Sequence, residues 1–314
     1  MDIFYNKDLR ILIEFFSGLI VFIFSIKFLS ETMENNLDSK VKIILNKLTY
    51  NKISSLIIGV LITLLFQSSS LVIVIIIALA HSGILDIKKA IPLILGSNIG
   101  TTFTAQITAF NIDDLLPIII LIGLILYLYG TNPKHRLIAT FILSISLIFI
   151  GISLMGSSLY EITSSNYMLK NIGYVYDSKV KSILFGTFFS ALIHSSSTSV
   201  VLLQLISKTG IIPLISSIYI LFGLNIGTSI DAIIAGVSTN SYGRRIALFH
   251  LLFNIFGVII FFHLGDILKN IVVIISPDNI ARQIANAHTI FNITMVLIVL
   301  PFTDNISNLL DNKK

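Results

Sequence analysis

The sequence has no cysteine and no tryptophan, and only 12% of its 314 residues are charged. The absence of cysteine excludes disulfides, zinc–thiolate sites, iron–sulfur clusters and thiol nucleophiles. Soluble domains carry about 25% charged residues, so roughly half of the usual charge is missing. Because 55% of the residues are hydrophobic and the mean hydropathy is +0.94, most of the surface is not suited to water. The composition therefore predicts an all-α polytopic membrane protein and excludes a cytosolic enzyme.

The balance of charge is basic, with 21 Lys and Arg against 16 Asp and Glu. In an integral membrane protein such an excess marks cytoplasmic loops, and we do not expect a nucleic-acid partner. The N-terminus is polar, and no small-residue cleavage site follows the first apolar run, which argues against a cleavable signal peptide. The sequence predicts a multi-pass protein of the cell membrane, either an inner or a plasma membrane.

Spanning helices need about 20 mostly apolar residues. Single spans are predicted at residues 11–29, 115–130, 137–155, 246–263 and 284–301. Two longer apolar stretches are each interrupted by a Ser-rich cluster: 53–81 at residues 67–70, and 181–206 at residues 194–197. Two further segments follow them, each interrupted by Gly, Asn and Thr: 90–110 at residues 96–102, and 211–237 at residues 223–229.

The interruptions recur at an offset of 127 residues, without a gap. The offset aligns Gly59 with Gly186, residues 68–70 with 195–197, Gly96 with Gly223, and Asn98 with Asn225. We predict a first repeat at residues 1–131, made of a transmembrane helix, a re-entrant hairpin, a broken helix and another transmembrane helix. Residues 132–263 form the second repeat with its own hairpin, and residues 264–314 form an interfacial and transmembrane C-terminal extension.

The topology follows from the number of membrane crossings. If each Ser-rich stretch enters and leaves on one side as a re-entrant hairpin, each repeat crosses the membrane three times. An odd number of crossings inverts the second repeat, which is the recurring plan of secondary transporters. On this path the side that receives the C-terminus carries more Lys and Arg than the other side, so the C-terminus is predicted to be cytoplasmic.

Four polar interruptions at membrane depth predict a binding site, because unpaired backbone groups are tolerated there only against protein or a watery cavity. The N-terminal end of a helix suits an anion, since it presents free amides and the positive end of the helix dipole. The predicted anion site is Ser68, Ser69, Ser70, Ser195, Ser196 and Ser197. Oxygen ligands suit a hard cation such as sodium. The predicted cation site is Asn98, Thr101, Thr102, Thr198, Asn225, Thr228, Ser229 and Asp231.

The neighbouring glycines are interpreted as positions where the backbone turns or where its carbonyls approach a ligand. They are Gly96, Gly100, Gly223 and Gly227. In the alternative interpretation, the small polar residues hydrogen-bond their own helices and allow helices to pack closely. The duplication of all four clusters favours the binding site.

Two ionisable residues differ between the repeats. Asp231 is the only carboxylate inside the membrane region of the second repeat, and its repeat partner is Thr104, so the two halves need not bind cations equally. An intramembrane acid is expected to face a cation or a proton, and the alternative is a surface pair with a loop cation. His194 takes the place of Gln67 and either repeats the hydrogen bonds of glutamine, donates to an anion or titrates.

Other polar residues in apolar segments receive structural interpretations. Glu14 and Lys27 are expected to extend along the first apolar helix to the interface. Two His-x-x-x-Asn strings, at residues 250–254 and 288–292, place His and Asn on one helix face. We interpret both strings as parts of a polar seam between helices.

Catalytic motifs are missing from the sequence: it has no G-x-S-x-G elbow, no HExxH helix and no Walker loop. His194 and Ser195 do not form a catalytic pair, because adjacent residues on a helix point away from each other. The six histidines show no spacing typical of a metal site. We predict no enzymatic activity, no cofactor and no transition metal, and sodium as the coupling ion.

Three groups of motifs resemble the type II sodium/phosphate cotransporter family over about residues 10–305. They are the duplicated Ser-rich clusters, the two Gly-x-Asn-Ile-Gly-Thr segments, and the strings at residues 245–254 and 287–292. The resemblance implies sodium-driven uptake of inorganic phosphate by an elevator-like movement of both hairpins. It also implies that the Ser-rich clusters, with Gln67 and His194 added to their serines, contribute to the phosphate and sodium sites. His194 departs from the family's usual glutamine. Many bacterial relatives also carry a C-terminal domain resembling a phosphate-uptake regulator, and this chain is expected to be the core form without it.

The sequence therefore predicts a symporter that imports inorganic phosphate with sodium. Because no Lys or Arg lies within either Ser-rich cluster, amides and hydroxyls would hold the phosphate and sodium would neutralise it. The alternatives are a sodium-coupled carrier of sulfate or a dicarboxylate, and a non-transporting membrane protein that senses phosphate. The expected partners are phosphate, sodium and the lipid bilayer, and a homodimer would give an elevator its fixed scaffold.

Overall fold

The computed structural model describes residues 7–110, 112, 114–163 and 173–311, and their side chains except at residues 7, 8, 30 and 33–48. These residues form helices and turns, with no β-strand among them, which confirms the predicted all-α class. The helices are α1 (Lys7–Leu48), α2 (Lys52–Phe66), α3 (Ser69–His81), α4 (Ile87–Thr108), α5 (Leu116–Tyr129), α6 (Pro133–Thr163), α7 (Gly173–Tyr176), α8 (Lys179–Ile193), α9 (Ser196–Lys208), α10 (Leu214–Gly227), α11 (Ser229–Val237), α12 (Ser241–Ile275), α13 (Ile280–Val299) and α14 (Thr303–Asp311). The outer ends of the predicted first repeat and C-terminal extension, residues 1–6 and 312–314, lie outside the described residues.

Five helical segments in the described ranges are long and apolar enough to cross a membrane. They are Leu9–Leu29, Pro133–Thr163, Leu214–Val237, Ser241–Ile275 and Ile280–Asp311. Four of the five predicted single spans lie within these segments. The fifth, residues 115–130, forms α5, whose 14 residues rise about 21 Å and fall short of a hydrocarbon core of about 30 Å.

The two stretches with Ser-rich clusters each form a pair of short helices. In both pairs the first helix has 15 residues and the second has 13, so each is about 20–22 Å long and none spans the membrane alone. The helices separate at residues 67–68 and 194–195, inside the predicted clusters. We call residues 67–70 the first tip and residues 194–197 the second tip.

Helices α4 and α10 lie at the centre of the fold. Residues 90–95 of α4 and 217–225 of α10 are buried throughout. The ring of Phe222 on α10 packs against Phe261 of α12 and Phe291 of α13, with ring centroids 5.8 and 5.2 Å away. The segments with the Gly-x-Asn motifs therefore lie in the buried interior of the fold.

Glycines allow the central helices to contact the tip helices backbone to backbone. A Cβ at Gly96 of α4 would overlap the Leu56 carbonyl oxygen of α2, and a Cβ at Gly59 of α2 would overlap the Leu93 carbonyl oxygen of α4. The same contact recurs between α8 and α10 through Gly186 and Gly223. Small residues at a crossing are the usual means by which membrane helices approach closely.

The predicted break in the first Gly-rich segment is wrong. Helix α4 runs continuously through residues 96–102. The Asn98 side-chain amide donates to the Ile94 carbonyl oxygen at 2.9 Å, and the Thr102 hydroxyl donates to the Ile99 carbonyl oxygen at 2.8 Å. The side chains of Asn98 and Thr102 therefore bond their own helix, and the glycines serve close packing rather than a turn. The first repeat has no broken helix at this position.

The second Gly-rich segment is interrupted at a single residue. Helix α10 ends at Gly227 and α11 begins at Ser229, while Thr228 keeps helical angles of φ −62° and ψ −21°. The Thr228 amide still donates to the Leu224 carbonyl oxygen at 3.1 Å. The segment therefore keeps a helical course across the predicted break.

Candidate functional site

Each tip begins with one residue in the left-handed region of backbone conformation, and the serine that follows caps the next helix. Gln67 has φ 51° and His194 has φ 54°, and they are the only non-glycine residues with positive φ in the described part of the chain. Ser68 and Ser195 follow with extended backbone, and each hydroxyl accepts a hydrogen bond from the backbone amide three residues later. Left-handed geometry costs a residue with a side chain about 1–2 kcal/mol. Both tips store this strain, which is typical of functional sites.

The two tips meet at their second serines. The hydroxyl oxygens of Ser69 and Ser196 lie 3.3 Å apart, and the Thr101 hydroxyl of α4 lies 3.4 Å from Ser69 and 3.1 Å from Ser196. All three side chains are buried. Three neutral hydroxyls, two of them from the first turns of different helices, therefore converge at one point inside the protein.

A second cluster surrounds the carboxyl group of Asp231 on α11. The Ser70 hydroxyl donates to Asp231 Oδ2 at 2.6 Å, and His194 Nδ1 lies 2.6 Å from Asp231 Oδ1. The Asp231 side chain is 16% exposed and the His194 side chain is 54% exposed. Asp231 therefore links the first tip to the second tip and carries the carboxyl group of the site.

A third cluster consists of neutral groups around Thr104 of α4. The Thr104 hydroxyl donates to Gln67 Oε1 at 2.7 Å, and the Ser197 hydroxyl lies 3.4 Å from the Thr104 hydroxyl and 3.5 Å from the Gln67 carbonyl oxygen. The Gln67 side-chain amide donates to the Leu64 carbonyl oxygen at 2.5 Å. This cluster therefore also connects the two tips, without an ionisable group.

The second and third clusters are equivalent under the 127-residue offset. It carries Gln67 to His194, Thr104 to Asp231 and Ser70 to Ser197. The two residues that contact each other both differ between the clusters. One cluster has a glutamine–threonine pair, and the other has a histidine–aspartate pair at the equivalent positions. The site is therefore similar in geometry on its two sides and different in charge.

The tips present hydrogen-bond donors to a ligand. Helices α3 and α9 begin here, and the backbone amides of a first helical turn have no hydrogen-bond partner within the helix. In each helix the capping serine accepts a hydrogen bond from one of these amides, that of Leu71 or Thr198. The helix dipoles add partial positive charge at the same place. Within the described residues, no Lys or Arg hydrogen-bonds to either tip. The arrangement can hold an oxyanion by amides and hydroxyls, and a cation beside Asp231.

The predicted cation residues are divided between several places. Thr101 and Asp231 meet the tips, and the Thr198 hydroxyl lies 2.8 Å from the Ser195 hydroxyl. In contrast, Asn98, Thr102 and Thr228 each donate a side-chain hydrogen bond to a carbonyl oxygen of the surrounding helical segment. The structure thus brings some of the predicted residues to the tips and leaves others along α4 and α10.

Asn225 and Ser229 belong to a buried polar seam formed with the His-x-x-x-Asn strings, as the helix-face argument predicts. The Asn254 amide of α12 donates to the Ser229 hydroxyl at 2.8 Å, and His288 Nε2 of α13 lies 3.2 Å from Asn225 Oδ1. Four buried atoms of the seam have no hydrogen-bond partner among the described residues: His250 Nδ1, Asn254 Oδ1, His288 Nδ1 and Asn292 Oδ1. Buried polar groups are normally paired, so these four atoms are exceptions within the described residues.

Thr104 contacts both tips, although it is absent from the predicted site residues. The sequence contained a signal for it, because Thr104 lies 127 residues before Asp231. Threonine alone in an apolar helix is common and usually bonds its own helix. Only the contact with Gln67 and Ser197 identifies it as part of the site.

Comparison with known proteins relates the chain to a family of phosphate transporters. The sequence model of the Na+/Pi-cotransporter family matches residues 21–157 and 159–276. The YqeW protein of Bacillus subtilis (strain 168) is 32% identical over 250 residues, which cover 80% of this chain and 81% of that protein. YjbB of Escherichia coli (strain K12), whose name proposes inorganic phosphate export, is 26% identical over 66% of this chain and 38% of YjbB.

A mammalian transporter matches a short part of the chain. Sodium-dependent phosphate transport protein 2A of Oryctolagus cuniculus is 45% identical over 64 residues, which are 20% of this chain and 10% of that protein. No solved structure matches the chain significantly. The family match covers both tips and both central helices, and its members are transporters rather than enzymes. With five long apolar helical segments in the part of the chain that the structure describes, the chain is a multi-pass membrane protein that belongs to the Na+/Pi-cotransporter family.

Proposed function

We propose that the chain is a sodium-coupled secondary active transporter that imports inorganic phosphate across the cell membrane. The observation that carries this proposal is the meeting of the two tips, where the hydroxyls of Ser69, Ser196 and Thr101 converge beside the first turns of α3 and α9. Membership of the Na+/Pi-cotransporter family supports phosphate and sodium as the transported ions.

Phosphate is proposed to bind between the tips. Its ligands would be Gln67, Ser68, Ser69, Ser70, His194, Ser195, Ser196 and Ser197. Free amides at two helix ends and hydroxyl groups match the oxygens of a phosphate anion in geometry and in sign. They do not neutralise a full negative charge, because no Lys or Arg in the described part of the chain hydrogen-bonds to the tips.

Sodium is proposed to supply the missing positive charge. The proposed ligands of the coupling sodium ions are Asn98, Thr101, Thr102, Thr198, Asn225, Thr228, Ser229 and Asp231, of which Thr101, Thr198 and Asp231 contact the tips. A phosphate charge about 4 Å from an Asp231 carboxylate would be repelled by about 4 kcal/mol at an effective dielectric constant near 20. A sodium ion between the two groups would attract both, so phosphate binding would depend on sodium.

The contacts between equivalent residues support two repeats related by a two-fold axis. In such an arrangement, a contact between two residues implies a contact between their equivalents. Ser69 contacts its own equivalent Ser196, and the contact of Thr104 with Ser197 corresponds to that of Asp231 with Ser70. We propose repeats at residues 1–131 and 132–263, inverted in the membrane, each with a re-entrant hairpin, and an extension at residues 264–314.

The proposed cycle is an elevator-like movement of the tips against a scaffold, which a homodimer would steady, with the C-terminus in the cytoplasm. Import follows from the inward sodium gradient that cells maintain, since the coupled anion moves with sodium. The name of YjbB proposes export for that protein, which is the direction opposite to the one proposed here.

The test is uptake of radiolabelled phosphate into proteoliposomes with an inward sodium gradient, and a potassium gradient as control. We expect uptake that needs sodium, arsenate competition, and weak competition by sulfate and succinate. Equal uptake in both gradients would contradict sodium coupling. Stronger competition by sulfate or succinate would indicate another oxyanion, and phosphate-dependent thermal stabilisation without flux would indicate a sensor.

A further inference from the structure

A cavity of about 400 Å³ lies between helix α1 and the tips. Lys27 and Glu31 of α1 line one side of it. The other side is formed by the first tip at Ser68 and by the second tip at His194 and Ser195. Among the described residues that line this cavity, Lys27 is the only Lys or Arg.

Lys27 is held weakly by its partner. Its ammonium nitrogen lies 3.7 Å from Glu31 Oε1, one helical turn away, and the two side chains are 72% and 55% exposed. Exposed pairs of this kind contribute little to stability, because each partner is solvated and must lose rotamer freedom. A small anion in the cavity can therefore compete with Glu31 for the Lys27 ammonium group.

The tip residues on the opposite wall offer hydrogen-bond donors to the same anion. The Ser68 hydroxyl accepts a hydrogen bond from the Leu71 amide, which leaves its own hydrogen free for a ligand. His194 borders the cavity while its Nδ1 lies against Asp231, so the imidazole ring stands between the cavity and that carboxyl group. The Lys27 cation, the Glu31 carboxylate paired with it and several neutral donors therefore face the cavity from two sides.

We propose that this cavity is an access vestibule in which Lys27 binds the phosphate anion before the anion reaches the tips. This inference rests on the proposed function and adds a second anion position, outside the tips and on a different helix. Lys27 exchanges Glu31 for a phosphate oxygen, and Ser68 donates to the same anion. Lys27 raises the local concentration of phosphate and so lowers its KM, while the tips determine the turnover rate.

The experiment measures initial rates of phosphate uptake at saturating sodium in proteoliposomes. For Lys27→Gln we expect KM for phosphate to rise about fivefold, with kcat within about twofold of the wild type. For Glu31→Gln we expect KM to fall about twofold, since Lys27 no longer has a competing partner. Lys27→Arg keeps the charge and should stay close to the wild type. Added choline chloride should raise KM in the wild type more than in Lys27→Gln, because salt screens the attraction.

A matched control pair lies on the same helix with the same spacing. Arg10 and Glu14 form an exposed ion pair at 3.0 Å, and Arg10→Gln and Glu14→Gln should leave KM unchanged. Sodium-dependent uptake with an unchanged KM in Lys27→Gln overturns the vestibule and leaves the proposed function intact. Absence of phosphate uptake by the wild type overturns the proposed function and the vestibule together.

Discussion

Replacing the His194–Asp231 pair by glutamine and threonine, the residues at the equivalent positions of the other repeat, separates the contribution of the pair to packing from its contribution to ion binding. The variant His194→Gln with Asp231→Thr gives the second half the residues that Gln67 and Thr104 supply in the first half. The two single variants complete the cycle. If the two clusters are equivalent, the double variant should pack like the neutral cluster and lose only the function that needs a carboxyl group.

The expected magnitude follows from the hydrogen bonds to Asp231. Its carboxyl group interacts with Ser70 and His194, both at 2.6 Å. Hydrogen bonds to charged groups contribute about 1.5–3 kcal/mol, and less where the partner is half exposed, as His194 is. We therefore expect Asp231→Thr to lower the free energy of unfolding by about 2 kcal/mol, and His194→Gln by about 1 kcal/mol. In the double variant the His194–Asp231 bond is lost only once, and a glutamine–threonine bond like the 2.7 Å bond between Thr104 and Gln67 should return about 1 kcal/mol, so the double variant should be about 1 kcal/mol more stable than Asp231→Thr.

Two assays read the two effects. Thermal unfolding of the purified protein should show the double variant to be more stable than Asp231→Thr alone. Sodium titration of phosphate uptake should show at least an approximately tenfold weaker sodium dependence in the double variant, which corresponds to about 1.4 kcal/mol. If the sodium titration of the double variant matched that of the wild type, Asp231 would not be a sodium ligand. A double variant no more stable than Asp231→Thr would refute the equivalence of the two clusters.

Two further predictions concern the tips and the glycine contacts. Ser69→Ala and Ser196→Ala should each reduce phosphate uptake about tenfold at unchanged expression, because each removes a converging hydroxyl group, and normal uptake in both would return the serines to a packing role. Gly96→Ala should lower the free energy of unfolding by about 3 kcal/mol, since the added Cβ would overlap the Leu56 carbonyl oxygen. Gly156→Ala is the control because the nearest atom to its Cβ would lie 3.6 Å away, and equal melting temperatures in the two variants would contradict the close helix contact.

The tips could be predicted from the sequence because their signal is local and duplicated. A serine after a polar break favours a helix N-cap, and the same cluster returns 127 residues later. Both breaks lie inside the predicted clusters. The partners across the tips could not be predicted, because the contact of Thr104 with Ser197 depends on how α4 and α9 pack. Sequence spacing describes one helix at a time and carries no information on that packing.

The Gly-rich segments show a limit of motif reading. Glycine at Gly96 and Gly100 is equally compatible with a helix break and with a close helix crossing, and the sequence prediction chose the break. The structure has the crossing, because the partner glycine Gly59 lies on α2 opposite α4. The place of Lys27 in the fold is a second example. The sequence shows that it lies in an apolar helix, but not that it borders a cavity shared with the tips.

The glycine contacts also affect how the site can open. Where two helices touch through their backbones, no flexible side chain lies between them to absorb sliding or tilting. We therefore expect α2 with α4, and α8 with α10, to behave as two stiff levers, each carrying its own tip. The hydroxyls of Ser69 and Ser196 form one hydrogen bond between the tips at 3.3 Å, and Thr101 of α4 contacts Ser196 at 3.1 Å. A hydrogen bond between the two levers then lies at the place where the transported anion is proposed to bind.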